Sequence, residues 1–215
     1  LDVSSATSYD PGDRTRAVIL ATGPSSSIDL SGITTFTGTT GDWFGPAFVD
    51  VIAESGGTID LSSASNINSQ VSLIARDAGS VIDLQNTVSI TGGTVLAGRN
   101  FPYMLRLVAE DGGVINTPNV QTLVAASLYA AGGSDILMPT ATSFDGADRT
   151  RSTILASGPG SSIDLSGITN YSGGQGNWFG EVRNLIRSEA GAAVNLSGIL
   201  NLNGQVDLVS DSGAM

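Results

Sequence analysis

Apolar residues fall in short runs of four or five, each ending in a small residue and followed by glycine or small polar residues. The runs "VILA" (18–21), "VDVIA" (49–53), "VSLIA" (71–75), "LRLVA" (105–109), "STILA" (152–156) and "VDLVS" (206–210) have strand length, not helix length. A tight turn follows, often with paired glycines (Gly56-Gly57, Gly112-Gly113, Gly132-Gly133), which predicts corners of positive φ. Next comes a triplet of the type Ile-Asp-Leu, whose alternation sends the outer residues to one face and the middle residue to the other. After a two-residue corner a third strand is predicted, as in "ITTFTG" (33–38), "TVSITG" (87–92) and "ITNYSG" (168–173), and a variable loop closes the unit.

The units recur. "SSIDLSGIT" stands at 26–34 and at 161–169, "DRTR" at 13–16 and 148–151, and "GDWFG" (41–45) answers "GNWFG" (176–180), all at an offset of 135 residues. The middle residues of the triplets are Asp2, Asp29, Asp60, Asp83, Asn116, Leu137, Asp164 and Asn195, at spacings of 27, 31, 23, 33, 21, 27 and 31. The first five spacings span the 135-residue offset, so a five-coil block (1–135) is followed by a partial second block (136–215). Three short strands cannot bury their apolar face alone, but stacked copies bury a continuous core. The pattern predicts one all-β domain over residues 1–215, a single-stranded parallel β-helix (β-solenoid) of about eight coils of 21–33 residues. Right-handedness follows from the usual chirality of crossovers, and a length of roughly 40 Å from the spacing of strands. A β-sandwich would need hairpin turns every ~8–12 residues and no such repeat.

Charge and composition narrow the chemistry. The net charge is −11, and all nine basic residues are Arg. An acidic chain repels phosphate, so no nucleic acid and no anionic membrane surface is expected as a partner. The absence of Cys and His removes disulfides, thiol nucleophiles, Ser-His-Asp triads and the usual zinc sites. No apolar run is long enough for membrane insertion; "LVAASLYAA" (123–131) is far too short. The chain starts at Leu1 without a signal peptide, inside an Ile-Asp-Leu-type strand, and stops just after a first strand, which suggests a piece of something longer.

Three groups of residues carry candidate chemistry. The middle residues of the triplets form an acidic column, read either as a Ca²⁺ site or as a solvated stripe. Carboxylates on adjacent rungs repel by about 0.8 kcal/mol in bulk water. The loops after the third strand hold Trp43, Phe44, Trp178 and Phe179, read as stacking platforms for sugar rings or as small cores that pin each loop. Arg14 and Arg16, with their copies Arg149 and Arg151, share a face if extended, and either recognise an acidic polysaccharide or pair with nearby Asp. For an acid–base enzyme the nearest carboxylate pairs are Asp10 with Asp13, repeated as Asp145 and Asp148, and Asp42 with Asp50, which become Asn177 and Leu185.

The strand, Gly-Gly turn and Ile-Asp-Leu grammar resembles the β-helix repeats of large bacterial secreted and surface proteins, namely autotransporter passengers and filamentous-haemagglutinin-like adhesins. The resemblance implies export, extracellular or cell-surface display, and an adhesive or structural role without catalysis or a bound cofactor. Partners are then adjacent coils of a longer chain or end-to-end copies, and polysaccharide at the loops. The fold is also similar to that of polysaccharide lyases and pectin-degrading glycoside hydrolases, which makes a polysaccharide-degrading enzyme the alternative.

Overall fold

A computed structural model describes residues 1–39, 48–93, 105–147, 151–174 and 183–212. Among them the secondary structure is all-β, and every paired strand runs parallel to its neighbours, as a parallel β-helix requires. Three faces repeat in turn. The long sheet has eight strands: Ala17–Thr22, Val49–Glu54, Val71–Arg76, Leu105–Glu110, Ala126–Ala131, Thr153–Ser157, Asn184–Glu189 and Val206–Asp211. The corner sheet is built from the triplets, in one group of four (Ser27–Asp29, Thr58–Asp60, Val81–Asp83, Val114–Asn116) and one of three (Asp135–Leu137, Ser162–Asp164, Ala193–Asn195). The third sheet again has eight strands, from Ser8–Tyr9 and Thr35–Thr37 to Asn170–Ser172 and Asn201–Asn203.

Like residues stack on like along the interior. Ile28, Ile59 and Ile82 lie in register on successive rungs, as do Val51, Leu73, Leu107 and Leu128 in the long sheet. Ala53, Ala75, Ala109, Ala130 and Ala156 form the narrow column where the long strand turns toward the corner, and all are buried. In the third sheet Tyr9 stacks on Phe36 with centroids 4.6 Å apart, and its copy 135 residues on, Phe144 on Tyr171, repeats the 4.6 Å separation. The predicted unit is therefore the observed rung.

Of the three paired-glycine corners, Gly132 (φ 62°) and Gly133 (φ 81°) are both left-handed as expected, and the other two differ in detail. Gly56 (φ 87°) and Gly112 (φ 84°) are left-handed, but their partners Gly57 and Gly113 are not. A Cβ on Gly57 would lie 2.3 Å from the carbonyl oxygen of Ala21, and one on Gly113 as close to that of Ala75. At these two corners the second glycine is there because the backbone below leaves no room for a side chain.

Tyr171 is buried against Phe144, and its hydroxyl accepts a 3.5 Å hydrogen bond from Asn184 Nδ2. Burial pushes its phenol well above the ordinary tyrosine range, with the Asn184 bond opposing weakly. Above a pH of about 10 the unfolded chain releases this proton while the native state holds it, so stability falls. Urea denaturation at rising pH is expected to show that fall, and Tyr171→Phe to flatten it; an unchanged slope in the variant would show that Tyr171 is not its source.

Candidate functional site

The corner residues are occupied by their own turns. Asp29 Oδ1 accepts from the Ser31 amide (2.9 Å) and hydroxyl (2.6 Å), Asp60 Oδ1 from the Ser62 amide (2.8 Å), and Asp164 Oδ1 from the Ser166 amide (2.9 Å). Asp83 Oδ1 takes the Gln85 amide (3.0 Å) and, from the rung above, Asn116 Nδ2 (2.8 Å). At the first rung the two bonds from Ser4 hold the exposed Asp2 carboxyl below the usual range. The column predicted from the triplets is real, and at these rungs one oxygen of each carboxylate caps the turn that follows it. Among the described residues no group of three or more potential ligands is placed to hold a metal ion.

Arg14 and Arg16 do not form the expected face. Arg14 has φ 62°, in a turn, so the alternation that would align it with Arg16 is absent. That turn is held by Asp10 Oδ1, which accepts from the Gly12 amide (2.8 Å), and by Thr15 Oγ1, which donates to the carbonyls of Pro11 and Gly12 (both 2.9 Å). Arg14, Arg16 and Arg151 are exposed. Trp43, Phe44, Arg149, Trp178 and Phe179 lie outside the described residues.

The outer face of the long sheet carries an apolar row that the triplets and loops do not predict. Leu20, Ile52, Ile74, Val108, Tyr129 and Leu155 point outward and stand in register on six consecutive rungs. Strands such as "VILA" and "VSLIA" are apolar at both parities, which is the signal for an apolar outer row as well as an inner one. Charged and hydroxylated residues flank the row: Asp50, Ser72, Arg106, Ser127 and Thr153 on one side, Glu54, Arg76, Glu110 and Ser157 on the other.

Arginines tie the rungs together across this face. Arg76 pairs with Glu54 at 2.6 Å. Arg106 donates from Nε to Ser72 Oγ (2.7 Å), reaches Asp50 Oδ1 at 3.7 Å, and lies 5.0 Å from the centroid of the Phe48 ring. One side chain thus spans three long strands and holds the residue that follows the first aromatic loop. Such exposed pairs are worth about 1 kcal/mol or less each, so their main effect is to fix the positions of their donors. Between them a cleft of about 330 Å³ is lined by Ile74, Val108, Tyr129, Arg76, Arg106 and Glu110. An apolar floor with hydrogen-bonding walls suits a ligand with apolar faces and a polar rim.

The corner geometry yields a direct test. Asp60→Ala is expected to cost about 1 kcal/mol in urea denaturation, whereas Asp60→Asn, which keeps the acceptor, costs less, and EDTA leaves the melting temperature unchanged. A large drop in melting temperature with EDTA would show that the column holds a cation after all.

Among the described residues no helix is long and apolar enough to cross a membrane. Comparison with protein-family models, curated proteins and solved structures finds no match.

Proposed function

We propose that this chain is an adhesive and structural β-solenoid segment of a larger secreted or cell-surface protein, and that it binds polysaccharide along the outer face of its long sheet. The observation that carries this reading is the apolar row from Leu20 to Leu155, flanked on both sides by hydrogen-bonding groups at the rungs of Ile52, Ile74, Val108 and Leu155. A row that repeats at the strand spacing of about 4.8 Å suits a polymer laid along the rod better than a compact molecule. Sugar rings would set their apolar faces on Ile74, Val108 and Tyr129, with hydroxyls directed to Arg106, Arg76 and Glu110. The acidic excess favours neutral glycans over polyanions. The aromatic loops, with Trp43, Phe44, Trp178 and Phe179, are a second contact in the same reading. Catalysis is less well supported: Asp10, of the one described candidate pair, caps its own loop.

Affinity electrophoresis against neutral and acidic polysaccharides tests the proposal. Retardation by a neutral glycan is expected, weakened about tenfold or more in a Val108→Ser/Tyr129→Ala variant that stays folded by circular dichroism. A Trp43→Ala/Trp178→Ala variant run alongside reports the contribution of the loops. Retardation by no polysaccharide would sink the binding reading, and release of new reducing or unsaturated ends would establish the enzyme instead.

A further inference from the structure

The corner sheet is interrupted once. Its four-stranded group ends at Val114–Asn116 and its three-stranded group begins at Asp135–Leu137, although these strands stand on neighbouring coils. On earlier rungs the backbone amide after the triplet bonds the next coil, as Leu61 N does to Asp83 O (2.9 Å) and Leu84 N to Asn116 O (3.0 Å). At the interruption a side chain does this instead: Thr117 Oγ1 donates to Leu137 O at 3.1 Å.

The same two coils lose their corner caps. Two residues after each corner residue stand Ser4, Ser31, Ser62, Gln85, Pro118, Pro139, Ser166 and Ser197. Only the two prolines lack the N–H that the cap requires. The internal repeat supplies the control. Leu137 and Pro139 are the 135-residue copies of Asp2 and Ser4, and Ser4 caps Asp2 through its amide (2.9 Å) and hydroxyl (2.6 Å). Acceptor and donor have been replaced together, so no polar group is orphaned.

A cleft of about 470 Å³ lies at this break, with Val114, Leu137, Pro118 and Pro139 among its walls. Val114 is 46% and Leu137 48% exposed; between residues 21 and 199 the only other exposed large hydrophobic among the described residues is Val88. Apolar exposure is thus gathered at the interruption and not scattered along this part of the rod.

We propose that this cleft docks an extended peptide segment of a partner protein, with an aromatic side chain inserted between Leu137 and the two prolines and basic residues on either side. The charge around the cleft selects that chemistry. Asp135 is its one charged lining residue, and Asp83 and Asp164 stand on the adjoining rungs. Thr117 Oγ1 already occupies the Leu137 carbonyl at the break, so the cleft engages the peptide through side-chain contacts. The site lies on a different sheet from the proposed glycan face and does not depend on it.

The test uses a capped five-residue peptide with a central tryptophan, flanking glycines and terminal arginines, titrated against the whole chain labelled at Val and Leu methyls. Saturable shifts at the Val114 and Leu137 methyls are expected. Leu137→Asp/Pro139→Ser grafts the capped corner of the first coil into this position. The graft is expected to keep or raise the melting temperature and to weaken the peptide about tenfold or more. A peptide with glutamate in place of arginine should bind more weakly. The proposal is overturned by no saturable shift in the wild type, by equal binding to the graft, by a preference for the glutamate peptide, or by a neutral oligosaccharide shifting these methyls instead. A graft that melts well below the wild type would also overturn it, because Leu137 and Pro139 would then serve the fold.

Discussion

Everything in this molecule depends on the in-register stacking of parallel strands at a fixed spacing. Each rung must present the same kind of side chain at the same place as the rung below, or the interior column opens. That is why isoleucine sits on isoleucine through the corner sheet and alanine on alanine where the long strand turns. It is also why the stacked aromatic pair recurs at 135 residues, with the members of the first pair exchanged between Tyr and Phe. A single large residue in such a column needs a neighbour that continues it, so change is tolerated in blocks of coils more readily than in single positions.

The same constraint separates what the rod must keep from what it is free to vary. Corner aspartates are kept because each accepts the amide that begins the next turn, a local bond that sets the angle between sheets. The outer row of the long sheet is under no such demand, yet it stays apolar over six rungs. The corner at Leu137 and Pro139 departs from the rule of its own repeat. Both departures leave apolar surface where the fold does not ask for it.

Repeat length, coil count, sheet parallelism and the inner columns were legible in the sequence, because period-two alternation and the Ile-Asp-Leu triplet report directly on which side chains stack. The capping role of the aspartates was written there too, in the Ser that follows two residues after Asp29, Asp60 and Asp164, but an acidic column alone is equally compatible with a cation site or a solvated stripe. Alternation failed for Arg14 because a left-handed turn, invisible in a string of polar residues, removes the extended backbone it assumes. The outer row was hidden by strands apolar at both parities, in which a core-facing residue and a surface-facing one look alike. The break beside Thr117 was not legible, since it arises from one hydroxyl replacing a backbone amide in the ladder.

The stacking itself is most directly tested by distances that count rungs. The chain contains no Cys, so pairs of introduced cysteines can carry nitroxide labels without background. Thr37, Asp145 and Asn203 occupy the same register position, with Asp145 four rungs and Asn203 six rungs from Thr37. Double electron–electron resonance should give separations near 19 Å for Thr37→Cys/Asp145→Cys and near 29 Å for Thr37→Cys/Asn203→Cys, about 5 Å per rung. Separations that do not grow with the number of intervening rungs would contradict the stacked rod.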